Sequence, residues 1–183
     1  GEQQFGVDPK RLEQYANEIK VAHNTGVKIS IVIGGGNIYR GLSGASQGMD
    51  RVQGDYMGML ATAINGLALQ SAFQSKGIPA KVYTSIRMEP VAEYWNRDKV
   101  IEDLENNTIC IFSGGTGNPF FTTDTAASLR AMEIQADAIF KATKVDGIFD
   151  KDPMLYEDAK LFKSLSYIDV LKKGIKVMDS TAI

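Results

Sequence analysis

The segment Ser113-Gly114-Gly115-Thr116-Gly117-Asn118-Pro119-Phe120-Phe121-Thr122-Thr123-Asp124 gathers glycines, hydroxyls, an amide and one carboxylate between an apolar run and a helical one. That mixture suits anion binding. Glycine reaches positive φ cheaply and lets phosphate oxygens come close to backbone N–H groups. The helix that follows adds free donors and the positive end of its dipole. A second turn of the same kind, Gly34-Gly35-Gly36-Asn37-Ile38-Tyr39-Arg40-Gly41, follows the apolar strand pattern over residues 27–33. Two such turns in one chain suggest two phosphate groups and chemistry between them.

Each feature also has a plainer reading. Gly34 to Gly36 would serve a tight strand-to-helix corner equally well, and Thr122 and Thr123 are natural N-caps for the next helix. Capping leaves unexplained the Phe120-Phe121 pair on an exposed turn beside Asn118.

Composition narrows the function classes. The 183 residues, 44% hydrophobic and 23% charged with a formal net charge of -2, fit one globular domain with no general attraction to nucleic acid or anionic membrane. Phosphate recognition must therefore be local. The longest apolar run, residues 56–69, is too short to span a bilayer, and no signal peptide is visible, so a cytoplasmic protein is expected. The single Cys110 lies in an apolar strand and reads as a buried, inert thiol. The single His23 ends the first helix, which argues against histidine triads and histidine-rich metal sites.

The elements that must position these turns alternate between helix and strand. Asp8-Pro9 opens a helix with Leu12, Tyr15, Ala16, Ile19 and Ala22 on one face, ended by Gly26. A strand is expected over 27–33 and a helix over 55–75, the latter apolar around most of its circumference and therefore largely buried. Gly77-Ile78-Pro79 breaks that helix before a strand over 80–84. A helix over 97–106, a strand over 108–112, a helix over 123–135 and a short buried strand over 138–142 follow. A loop over 143–153 precedes Ser166-Tyr167-Ile168-Asp169, whose capping-box spacing starts a short helix ending at Gly174. Lys176-Val177-Met178 reads as extended, and Asp179-Ser180-Thr181 as a cap for a further helix. This order argues for an α/β fold, a three-layer αβα sandwich with a mostly parallel central sheet and ligands outside the carboxyl ends of the strands. No repeat or linker suggests a second domain.

Six segments together resemble the bacterial uridylate (UMP) kinases of the amino acid kinase superfamily. They are Ile31 to Gly41, Gly54-Asp55-Tyr56-Met57-Gly58-Met59-Leu60-Ala61-Thr62, Gly115 to Asp124, Lys141 to Gly147, Asp152-Pro153 and Val177-Met178-Asp179. They occur in family order across almost the whole chain, and the second and third are specific to the uridylate branch. The resemblance implies an amino acid kinase-like fold and transfer of the ATP γ-phosphoryl group to UMP, giving UDP and ADP in pyrimidine nucleotide biosynthesis.

Carried over residue by residue, it implies that Gly35, Gly36 and Arg40 surround the phosphates, Arg40 bridging acceptor and donor. Asp55 would accept from ribose hydroxyls, against an alternative as a helix N-cap. Thr116, Gly117, Asn118, Pro119, Phe120, Phe121, Thr122 and Thr123 would enclose the uracil and acceptor phosphate. Thr143, Phe149 and Asp152 would face ATP, with Phe149 equally readable as loop-anchoring core. Asp124 and Asp179 would organise the reaction centre with a catalytic lysine. Mg²⁺ would travel with ATP, and no protein-held metal is implied. A homohexamer activated by GTP and inhibited by UTP is implied as well.

The family pattern opens with a strand and Lys-Leu-Ser-Gly, which this sequence does not contain, and continues past Asp179. Terminal strands therefore read as missing from the sequence. Lys141 and Lys144 belong to a different motif and are not given that lysine's role. Two alternatives stay open: a non-catalytic nucleotide-binding or storage module of the same fold, and another phosphotransferase of the superfamily. A dinucleotide-dependent oxidoreductase is a weaker reading, because Gly34-Gly35-Gly36 lacks the G-x-G-x-x-G spacing.

Overall fold

Strand β4 (Ile109–Ser113) lies between β1 (Ser30–Val32) and β2 (Ala80–Thr84), and β2 also pairs with β3 (Glu93–Tyr94), giving the sheet order β1-β4-β2-β3 with every pair parallel. The computed structural model describes residues 6–39, 48–143, 146–175 and 178–183. Alternation along β2 and β4 decides which helix covers which face. Ala80, Val82, Ile109 and Ile111 point to one side, where Ala16 of α1 (Pro9–His23) and Leu69 and Phe73 of α2 (Arg51–Gln74) close over them. Tyr83, Cys110 and Phe112 point to the other side, against Val100 and Leu104 of α3 (Arg97–Glu105). Helix α4 (Thr123–Glu133) adds Ile134, just past its end, to that second cluster. The result is three layers with two apolar seams, each fully buried aliphatic contributing roughly 1.5–3 kcal/mol.

Local chemistry sets the helix boundaries. Asp8 accepts from the N–H groups of Lys10 and Arg11, with Pro9 at the first helical position. Asp50 caps α2 through Gln53 N–H, and Asn96 caps α3 through Lys99 N–H. In α5 (Tyr167–Lys173) Ser166 accepts from Asp169 N–H at 3.1 Å and donates to its carboxylate, and Gly174 closes the helix in the left-handed conformation.

Several expectations change. Helix α2 begins four residues earlier than its apolar pattern implied, so Asp50, not Asp55, is its cap. Its expected all-round burial is also wrong: Tyr56, Met57, Leu60 and Ile64 are exposed, Leu60 by 53%, because the sheet covers only one side of the rod. Strand β1 is limited to the three residues that pair with β4. The short buried strand expected over 138–142 does not form; the segment is exposed, Phe140 by 93%. A strand exists only where a neighbouring strand takes its N–H and C=O groups, and among the described residues no sheet ladder includes this segment. Strand β3 had no signal of its own. The expected extension at 176–178 falls mostly outside the described residues.

His23 is buried and donates from Nε2 to Asn107 O at 2.8 Å, tying the end of α1 to the turn before β4. Cys110 is fully buried, and desolvation pushes its thiol up to about 12.

Candidate active site

The two glycine turns leave adjacent parallel strands at their carboxyl ends, so β1–β4 pairing puts them side by side. A Cβ on Gly34 would lie 3.8 Å from Thr123 Oγ1. Between them opens a cleft of about 140 Å³. Gly35, Gly36 and Tyr39 line it from the first turn; Gly115, Phe121, Thr122 and Thr123 line it from the second. Its floor is the start of α2, with Gly54, Asp55, Gly58, Met59 and Thr62.

The first turn needs glycine for space rather than for φ. None of Gly34, Gly35 and Gly36 has positive φ, contrary to the steric reason expected for them. A Cβ on Gly35 would stand 2.8 Å from both Gly58 O and Ala61 Cβ, so the turn lies directly on α2. Asn65 of α2 donates to Gly34 O at 2.7 Å and exchanges amide hydrogen bonds with Asn37. The second turn does need unusual backbone. Gly117 has φ +80° and passes so close to Ser85 that a Cβ would lie 2.8 Å from its carbonyl oxygen. Phe120 takes φ +72° without being glycine, a conformation held here by a contact from α2.

That contact comes from Asp55, whose Oδ2 accepts from Phe120 N–H at 2.8 Å. Arg51 Nε reaches both Asp55 oxygens at 2.9 Å, and its guanidinium lies 5.7 Å from the centre of the Phe120 ring. Asp55 is thus a carboxylate held in place in the floor of the cleft, with its charge shared with one arginine.

Thr122 occupies the N-cap position of α4, but its side chain makes no capping hydrogen bond. Its hydroxyl donates to Asp179 instead. The side-chain capping expected of it is therefore absent, and first-turn N–H groups of α4 are left for another acceptor. Asp124, in that first turn, pairs with Lys141 Nζ at 2.7 Å. Asp179 belongs to a short 3-10 turn, Ser180–Ala182, that docks along α4: Thr125 meets Thr181 at 2.6 Å, and Ser128 donates to Ala182 O at 2.7 Å. Asp179 takes the N-cap position of this turn, as its sequence suggested, but its carboxylate accepts from Thr122 and makes no capping hydrogen bond. Asp124 and Asp179 together line a second hollow next to the cleft, closed by Val170, Leu171 and Ile175.

The sequence-derived residues thus divide. Gly35, Gly36, Asp55, Phe121, Thr122 and Thr123 share one cleft, and Asp124 and Asp179 flank it. Thr116 and Asn118 bond to each other within the exposed turn, and Phe120 is 66% exposed at its rim. Pro119 sits in the same turn. Phe149 pairs with Leu161 in an isolated antiparallel bridge, and the Asp152 carboxylate accepts from Met154 N–H, so both are held by their own segment. Thr143 is exposed in the chain leading to that segment. Arg40 lies outside the described residues.

Sequence reasoning missed the supports. Thr62 Oγ1 accepts from Gly114 N–H at 2.6 Å, and its carbonyl accepts from Ser113 Oγ at 3.1 Å. Ser85 Oγ donates to Gly115 O at 2.7 Å. A lone threonine inside a helix and a lone serine after a strand carry no spacing signal, so only the folded contacts expose their roles.

The whole chain has close relatives. Residues 2–183 match the family described as Amino acid kinase family. The uridylate kinase of Phocaeicola vulgatus is 58% identical over 182 residues, an alignment covering 100% of this chain and 77% of that protein. That of Porphyromonas gingivalis is 56% identical over 182 residues, covering 100% and 76%. Among solved structures, UMP kinase from Bacillus anthracis superposes with a TM-score of 0.93 at 43% identity, covering 97% of this chain and 74% of that one. UMP kinase from Ureaplasma parvum gives 0.90 at 34% identity, covering 96% and 75%. The parallel sheet flanked by helices is therefore the fold of these kinases.

Proposed function

Because this chain belongs to the amino acid kinase family, and within it to the uridylate kinases, we propose that it transfers the γ-phosphoryl group of ATP to UMP, yielding UDP and ADP. The observation that carries the reading is the cleft between two turns at the ends of adjacent parallel strands, with glycine backbone on one wall and an uncapped helix N-terminus on the other. Phosphoryl transfer asks a protein chiefly to hold two phosphates in line and to spread negative charge over fixed donors.

In this reading Gly35, Gly36 and the first turn of α4 hold the acceptor and transferred phosphates, and Asp55 receives the ribose hydroxyls. Phe120, Phe121, Thr122 and Thr123, with Thr116, Gly117, Asn118 and Pro119, enclose the base and acceptor phosphate. Arg40 bridges the two phosphates. Asp124, through its ion pair with Lys141, and Asp179, through Thr122, keep the two ends of the acceptor wall in register. ATP would approach from the side of Thr143, Phe149 and Asp152. Among the described residues no cluster of three acidic, histidine or cysteine side chains forms. In this reading Mg²⁺ would arrive with ATP, where it would neutralise charge on the donor phosphates.

The 183 residues act as one domain in this reading. The exposed apolar face of α2, with Tyr56, Met57, Leu60 and Ile64, supports association with further copies, and a homohexamer is the expected assembly. GTP activation and UTP inhibition belong to the same reading, as does a cytoplasmic location; no described helix is long and apolar enough to cross a membrane.

A coupled assay of ADP release decides the activity. UMP-dependent turnover is the expected result. Turnover on a carboxylate acceptor instead would point to another phosphotransferase, and nucleotide binding without turnover to a storage or sensing module. Arg40→Ala should lower turnover far more than thermal stability. Sedimentation velocity tests the assembly, and adding GTP or UTP to the assay tests the regulation.

A further inference from the structure

Arg130 is a cation in an unexpected place. It sits on the inner face of α4, only 6% exposed, with its guanidinium 3.9 Å from the centre of the Trp95 ring and Nη1 paired with Glu133 at 2.5 Å. Its remaining arm, Nη2, donates to Ser85 Oγ at 2.8 Å. The same hydroxyl donates to Gly115 O at 2.7 Å, and Gly115 lines the cleft.

The chemistry of the three groups fixes the direction of each bond. A guanidinium only donates, so Ser85 Oγ must accept from Arg130. The hydroxyl has one proton, and Gly115 O, which only accepts, is where it goes. Without the arginine the hydroxyl keeps only its bond to Gly115 O, so the side-chain strut from the end of β2 to the turn loses one of the two contacts that orient it. The rest of the contact is backbone: Ser85 N–H donates to Ser113 O at 3.1 Å, and Gly117 lies on the Ser85 carbonyl. The second glycine turn is therefore moulded on Ser85, and Ser85 is oriented by Arg130.

We infer that Arg130 is a positioning residue for the acceptor nucleotide, acting through Ser85 to hold the 114–117 turn in the shape that receives UMP. The inference rests on the kinase reading above. It separates Arg130 from a purely structural ion pair, because only a positioning role touches acceptor binding while sparing the donor.

The test measures UMP affinity by titration calorimetry, and KM for UMP and for ATP in turnover, for the parent protein and for Ser85→Ala, Arg130→Lys and Arg130→Met. Ser85→Ala and Arg130→Met should weaken UMP binding about three- to tenfold, the effect of one lost hydrogen bond, with KM for ATP unchanged. Arg130→Lys, which keeps a donor, should fall between Arg130→Met and the parent. The double variant S85A/R130M should be no worse than S85A alone, since Arg130 reaches the turn only through Ser85. If R130M fails to fold, S85A carries the test alone, since it deletes a single hydroxyl. Unchanged UMP affinity in S85A, or parallel losses for UMP and ATP, overturns the inference and leaves the kinase reading standing. A parent protein that binds no UMP overturns both.

Discussion

At the scale of single residues, Asp55 and Gly35 make the sharpest predictions. Asp55 holds Phe120 N–H and Arg51 while facing the cleft, so Asp55→Asn removes a charge on which three contacts converge. We expect UMP affinity to fall roughly tenfold or more, read by calorimetry, because charge-assisted hydrogen bonds exceed neutral ones in strength. Gly35→Ala forces a methyl to within 2.8 Å of Gly58 O and Ala61 Cβ, both on a helix that cannot yield locally. Overpacking of this kind costs about 1–3 kcal/mol, and urea unfolding should show it. Gly35 was recognisable in the sequence as a special position, but the reason was not: composition suggested freedom of φ, whereas the fold demands absence of bulk. Asp55 was marked only by its motif, and its tie to Phe120 across 65 residues could not be read from spacing.

At the scale of elements, what was legible followed the strength of local signals. Caps and breakers gave the ends of α1 and α5 within a residue or two, because Asp8, Ser166 and Gly174 act on their own neighbours. Pairing gave no such signal. Glu93-Tyr94 is a strand only because β2 lies beside it, and 138–142 is not one although its residues suit a strand. The outer face of α2 misled for a related reason, since apolar residues all round a helix state what could be buried but not what arrives to cover it. The α5 cap offers a local test. Ser166→Ala removes the acceptor for Asp169 N–H, and hydrogen exchange across 167–173 should report a loss of about 1 kcal/mol of local protection.

For the whole molecule, the buried face under α3 sets the alkaline limit. Desolvation raises the Tyr83 hydroxyl and the Cys110 thiol, the latter to about 12, and the hydrogen bond from Lys81 to Asp103 raises that ammonium. All three keep their protons longer in the folded state than in the unfolded chain. The stability these three groups contribute is therefore fully present below about pH 9, where the free thiol titrates, and is lost as pH rises toward 12. The unfolding free energy measured by urea titration should fall progressively across that window, by about 1.4 kcal/mol per pH unit for each proton the folded state retains, and Cys110→Ala should flatten the first part of the fall. Thiol reagents at pH 8 should leave Cys110 untouched until the protein is unfolded.

Helix α2 meets the first turn at Gly35 and Asn65 and the second through Thr62 and Asp55. On the helix those attachments run from Asp55 to Asn65, a length of about 15 Å on one rigid rod. A shift of that rod carries both rims with it, so such a displacement is common to the two and largely cancels in their difference. For the proposed transfer, the spacing between two bound phosphates would thereby be insulated from breathing of the sheet, as the span of a caliper is insulated from the movement of the hand that carries it.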